Sequence, residues 1–247
     1  MSKNFELLQR AGRAEEMLVI ESVPFSPRNG NHHKLDAEAL EHEEIVKLVQ
    51  RLFSPASVEG PRVVVFSGFG EGSGSSRVCA LVGQTLAARA TGTVCVVDAN
   101  LRTPSLHVHF DAENLTGLAD GIQVSTPIRN MAIRIAAGNL WLIPAGPTLH
   151  NGSLLMVMDR LKIRIQELRQ EFDYVLINAP ATDRYTDPVV LARTADGLIL
   201  VIEANSTPRA TIERAKASLM TAEIRLLGAV LNNRTFPIPQ SIYERLR

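Results

Sequence analysis

The sequence carries no excess of charge of either sign: Lys and Arg total 26, and so do Asp and Glu. Without an excess there is no overall electrostatic pull toward nucleic acid or an anionic membrane. Cysteine is scarce. Cys79 and Cys95 each sit inside an apolar run, where a free thiol packs as a small hydrophobe, so core positions are expected rather than a disulfide or a nucleophile. The six histidines are scattered apart from His32-His33 and the His107/His109 pair. Neither pair has acidic or Cys neighbours at metal-ligand spacing. No segment approaches the ~20 apolar residues that a membrane span requires, and MSKNFELLQRAGRAEE at the start holds no apolar stretch of signal-peptide length. The expectation is a soluble, cytoplasmic protein, peripheral to the inner membrane only through a partner. One further absence bears on chemistry. No lysine lies between Lys47 and Lys162.

What is present is a hydrophobic content of 45% over 247 residues, enough for one sizeable α/β core. Residues 1–58 read as a helical and partly irregular arm with a linker. Phe5, Leu7, Leu8, Met17 and Leu18 could form short helical faces. Pro24, Pro27 and Asn29-Gly30-Asn31 follow as turn signals. From about Ala37 to Phe53, Ile45, Leu48, Val49 and Leu52 recur at helical spacing, predicting a helix that packs on the main domain or contacts another subunit. From residue 59 to 247 the rhythm changes to short apolar runs separated by helical segments, including 153–171 and 207–222. The runs are Val63–Phe66, Val94–Val97, Leu140–Ile143, Tyr174–Ile177, Leu198–Val201 and Leu227–Leu231. This alternation predicts a doubly wound, mainly parallel sheet with helices on both faces, a three-layer α/β/α domain. Ligands of such sheets sit at the carboxyl ends of the strands.

The first of those ends carries VVVFSGFGEGSGSSRVCA, laid out as strand, Gly-rich loop and helix. Glycines allow the backbone to wrap a phosphate with its N–H groups, and a helix start adds its positive dipole end. Gly70, Gly72, Gly74, Ser75 and Ser76 are therefore the candidate phosphate-binding residues of a P-loop NTPase-like domain. Such a loop normally adds a Lys for the β/γ-phosphates and a Ser/Thr for Mg²⁺. Aligned on the helix start, Ser75 stands at the Lys position, Ser76 at the metal position, and Phe69 where the first Gly belongs. Arg77 comes two places later, in the first helical turn.

The second strand end reads Val97-Asp98-Ala99-Asn100-Leu101-Arg102-Thr103-Pro104-Ser105-Leu106-His107. With it go Gly117-Leu118 and Asp120, Asn139–Pro147, Phe172–Pro180, Thr186-Asp187, Ala195-Asp196-Gly197 and Leu227–Asn232. In this order the segments resemble the bacterial tyrosine kinases (BY-kinases) of capsular and exopolysaccharide biosynthesis, over roughly residues 40–233. The resemblance implies that two Asp of the second motif and a third on the Walker B strand serve catalysis and the metal. They fall here on Asp98, Asn100 and Asn178, so the catalytic positions are degenerate and Ser76 and Asp98 alone remain for a metal. It also implies that Asn232 reads adenine, although a polar residue closing a buried strand explains Asn232 as well. A carboxamide carries no charge and is a very poor base at neutral pH. ATP and Mg²⁺ are thus expected to bind weakly or not at all. The family's tyrosine-rich tail is reduced to Tyr243, and its Glu-x-x-Arg-x-x-Arg subunit contact to Glu44, Lys47 and Gln50. The implied function is a pseudokinase with a regulatory or docking role, its partner a membrane chain-length-determining or polysaccharide export protein or a competent kinase. A homo-oligomer stays open, and no nucleic acid is expected. Two alternatives stand beside it: an active ATP-dependent protein-tyrosine kinase with an unorthodox site, and a relative of the partitioning and septum-positioning ATPases.

Overall fold

The computed structural model describes residues 18–24, 31–53, 60–70, 72–124, 126–135, 138–147, 158–204 and 206–234. Readings that fall on 1–17, on 25–30, on 54–59 with the expected boundary at residue 58, or on Tyr243 lie outside these residues. Among the described residues eight strands form one sheet in the order β1-β8-β7-β2-β6-β3-β5-β4. They are β1 (Leu18–Pro24), β2 (Val63–Phe69), β3 (Val94–Asp98), β4 (Ile133–Ile135), β5 (Leu140–Ile143), β6 (Tyr174–Ala179), β7 (Gly197–Glu203) and β8 (Leu226–Arg234). Every pairing is parallel except that of β4 with β5. The helices are α1 (Asn31–Leu52), α2 (Ser75–Arg89), α3 (Leu106–His109), α4 (Leu118–Gln123), α5 (Met158–Glu171), α6 (Asp187–Ala192) and α7 (Arg209–Thr221), with a 3-10 turn at Ile128–Met131.

The apolar runs are continuous because both faces of the sheet are covered. On one face Val63, Val65, Cys95, Val97, Val175, Ile177, Leu198 and Leu200 pack with Leu161, Ile165 and Leu168 of α5, Val190 and Leu191 of α6 and Leu219 of α7. On the other, Val64, Phe66, Val94, Val96, Leu176, Ile199, Val201 and Val230 pack with α2 through Val78, Cys79, Val82 and Leu86. Burial pushes both thiols well up from their ordinary pKa, and neither cysteine is paired.

The expected arm differs from the structure in two respects. Leu18–Pro24 is a strand, pairing parallel with β8 through Leu18–Gly228, Val19–Ala229 and Ile20–Val230. Its cause is nonlocal: β8 would otherwise present a row of open backbone donors and acceptors at the sheet edge. The helix begins at Asn31 rather than near Ala37, running through residues read as linker. Its Ile45, Leu48, Val49 and Leu52 are buried in the same cluster as α2, so this stripe packs on the main domain.

Candidate functional site

Strand alternation brings the site together. Val96, Leu176 and Val230 all face α2, so the residues two places further on, Asp98, Asn178 and Asn232, face the same way at the carboxyl ends of β3, β6 and β8. All three are buried. The Gly-rich loop rises between them from the end of β2, and α2 opens at Ser75. Phe69, which displaces the motif's first glycine, ends β2 and is buried in the core on the opposite face. That position serves packing, and the loop proper starts one residue later.

Gly70, Gly72 and Gly74 have φ of 83°, 80° and 75°, values that an L side chain rarely adopts. The loop is held from both sides. Asn232 donates from Nδ2 to the Ser73 carbonyl at 2.8 Å, and Asn233 from Nδ2 to the Gly72 carbonyl at 3.3 Å. On the other side the Gly70 N–H donates to Asp183 Oδ1 at 2.9 Å, and the Thr182 N–H to the Gly68 carbonyl at 2.9 Å. Ser67 Oγ donates to the Pro180 carbonyl at 2.6 Å and lies 2.5 Å from Thr182 Oγ1. The fastening residues Ser67, Thr182, Asp183 and Asn233 escaped the sequence reading. They are single polar residues without spacing, brought together by strand pairing.

Asp98 is fully buried and saturated. Its Oδ1 accepts from Asn178 Nδ2 at 3.0 Å and from the Asn100 N–H at 3.2 Å; its Oδ2 accepts from the N–H groups of Ser105 and Leu106, both at 3.0 Å. Burial pushes its carboxyl up from the ordinary range, opposed by those four donors. Asn178 Oδ1 and Asn232 Oδ1 are buried without a partner. The Asn100 side chain does not join them. It closes a local turn with Thr103, giving Nδ2 to Oγ1 at 3.0 Å and accepting the N–H at 3.2 Å.

The positions for a metal do not fit Mg²⁺. A hard cation needs free anionic or neutral oxygens in an open shell. Here Asp98 has spent its lone pairs on four donors and Asn178 turns an N–H toward it, so Ser76 Oγ, which accepts from Ser105 Oγ at 2.8 Å, is left without an anionic partner. Among the described residues no group of three or more His, Cys, Asp or Glu side chains could hold a metal ion. Arg77 does not replace the missing lysine either: its guanidinium is paired with Glu41 of α1. What remains for a phosphate is backbone, the loop N–H groups and the unpaired donors of the first turn of α2.

Comparison with known proteins gives a consistent result. The family described as cellulose biosynthesis protein BcsQ matches residues 62–227. CapB of Staphylococcus aureus, named as a candidate tyrosine-protein kinase, is 31% identical over 171 residues, 69% of this chain and 75% of that protein. The kinase domain of the Escherichia coli tyrosine kinase ETK superposes with a TM-score of 0.80 at 19% identity, over 96% of this chain and 98% of that one. The MinC:MinD cell division complex of Aquifex aeolicus gives a TM-score of 0.59 at 20% identity, over 74% and 72% of the two chains. At these identities the solved structures speak for the fold alone. They share a P-loop α/β architecture with this chain.

Proposed function

The chain belongs to the bacterial tyrosine-kinase family of P-loop proteins, and on that premise we propose that it is a pseudokinase of exopolysaccharide synthesis or export, acting by docking. The observation that carries this reading is the state of the site. Ser75, Asn100 and Asn178 stand at the lysine, base and Walker B positions, and the remaining carboxylate, Asp98, is saturated by internal donors. Phosphoryl transfer demands little covalent chemistry of the protein; it demands positioning and charge to balance the transferring group. At these positions there is no lysine to supply that charge and no free carboxylate to hold a metal that would.

A nucleotide, where held, would be held by Gly72, Gly74, Ser75 and Ser76 through the loop backbone, with the Gly70 N–H released from Asp183 to join them, and Asn232 Oδ1 would be the acceptor for a base. Its affinity would be weak and indifferent to Mg²⁺. The partner in this reading is a membrane chain-length-determining or polysaccharide export protein, or a competent kinase of the same family. No helix among the described residues is long and apolar enough to cross a membrane, so the reading places the chain at the inner membrane through that partner. The family's subunit contact is not favoured as a self-association surface, because Lys47 is engaged by Glu43 at 2.8 Å and Glu44 at 3.0 Å on its own helix.

The test is phosphorylation of the purified chain and of a tyrosine peptide with ATP and Mg²⁺, beside a nucleotide titration with and without Mg²⁺. The expected result is no transfer above background and no Mg²⁺-dependent gain in affinity. Autophosphorylation mapped to Tyr174, Tyr185 or Tyr243, together with tight Mg²⁺-dependent ATP binding, would overturn the proposal in favour of an active kinase.

A further inference from the structure

Strand register sets Asp98 directly beside Asn178 on the adjacent strand, both fully buried, with one contact of 3.0 Å between Asp98 Oδ1 and Asn178 Nδ2. That amide cannot be turned round, since its oxygen would then face the carboxylate. A carboxylate at position 178 would put an oxygen where Nδ2 stands. Two buried carboxylates at that distance cannot both keep their charge without a cation or a proton between them.

We propose that Asp98 and Asn178 form a metal-free lock, in which the Asn178 carboxamide presents to Asp98 the positive end that a divalent cation would otherwise present. The lock extends beyond the pair. The N–H groups of Ser105 and Leu106 on Asp98 Oδ2 hold the start of α3 against β3. Ser105 Oγ in turn meets Ser76 Oγ at 2.8 Å, on the first turn of α2. A chain of hydrogen bonds therefore joins β6, β3, α3 and α2 across the crevice, with the carboxylate at its centre. The unpartnered Asn178 Oδ1 is the polar cost of this arrangement. The lock deepens the pseudokinase reading of the same site, yet it is read out by stability rather than by activity. Unexpected kinase activity with a Mg²⁺-insensitive unfolding temperature would remove that reading and leave the lock standing.

The experiment is thermal unfolding of the full chain in EDTA and in millimolar MgCl₂ at matched ionic strength. Wild type should unfold at the same temperature in both. Asn178→Asp should unfold roughly 5–15 °C lower in EDTA, the shift expected when a buried charge loses its partner in a chain of this size. It should regain most of that loss with Mg²⁺. Asn178→Leu, which removes the donor without adding charge, should lose stability equally in both media. A wild-type unfolding temperature raised by Mg²⁺, or an Asn178→Asp protein as stable as wild type in EDTA, would overturn the lock. If Asn178→Asp folds in neither medium, Asn178→Leu decides: a Mg²⁺-indifferent loss supports the proposal, and no loss refutes it.

Discussion

Gly74 carries two independent constraints. Its φ of 75° lies in the left-handed region, and an added Cβ would stand 2.3 Å from Asn232 Nδ2, the atom that fastens the loop to β8. Gly70 has the same backbone constraint, φ 83°, but open space around it. Gly70→Ala should therefore cost about 1–2 kcal/mol for conformation alone. Gly74→Ala should cost that amount plus an overpacking cost of about 1–3 kcal/mol. Denaturant unfolding of both variants checks the order. Placing Gly74→Ala in an Asn232→Ala background should shrink its cost toward that of Gly70→Ala, because the clashing amide is gone. Equal costs in both backgrounds would mean that Asn232 does not position the loop.

At the scale of elements, the amino ends of the strands are tied by a carboxylate of their own. Asp196, just before β7, accepts the N–H groups of Arg62 and Val63 at 2.7 and 2.8 Å and the Arg169 guanidinium at 2.7 Å. It so joins β2, β7 and α5. Burial works to raise its pKa, but the Arg169 contact and the two N–H groups outweigh it and hold the carboxyl below the ordinary range. A depressed folded-state pKa contributes stability that is present above the unfolded value, about 4, and is lost as pH falls through the folded one. Asp196→Asn should therefore be less stable than wild type at pH 7, and the gap should narrow as the pH drops below about 4. Unfolding temperatures of both proteins across that range test it; a gap that persists unchanged would exclude Asp196 as the titrating tie.

Across the whole molecule the sheet draws on both sides of residue 58. The α1 residues Ile45, Leu48, Val49 and Leu52 are 1–4% exposed and share a core with α2 and β2. Leu48→Ala should cost about 2–5 kcal/mol through lost burial and the cavity it leaves. Denaturant unfolding should also remain a single transition, since α1 has no separate core. An independent early transition, with the remainder unchanged, would instead support a domain boundary at residue 58. Held in this way, α1 also fixes Arg77 through Glu41, which keeps this cation of the loop helix's first turn turned to structure.

The sheet-and-helix alternation and the position of the Gly-rich loop were legible in the residues alone. Those are local facts: runs of Val and Ile between helical segments and glycines before a helix; the amides at Asn100 and Asn178 carried meaning only through the resemblance. The sequence could not determine that Leu18–Pro24 closes an edge of the sheet or that Ile133–Ile135 adds an antiparallel strand at the other. Short strands take their identity from the partner they pair with, and that partner lies far along the chain. Tertiary structure also gave different surroundings to three residues that the resemblance placed in one site. Asn178 faces Asp98, Asn100 folds back on Thr103, and Asp98 itself is used up by backbone donors. Composition says which groups a site contains. Only register and burial decide which atoms are left free to bind, because a lone pair spent on a neighbour is invisible in one dimension.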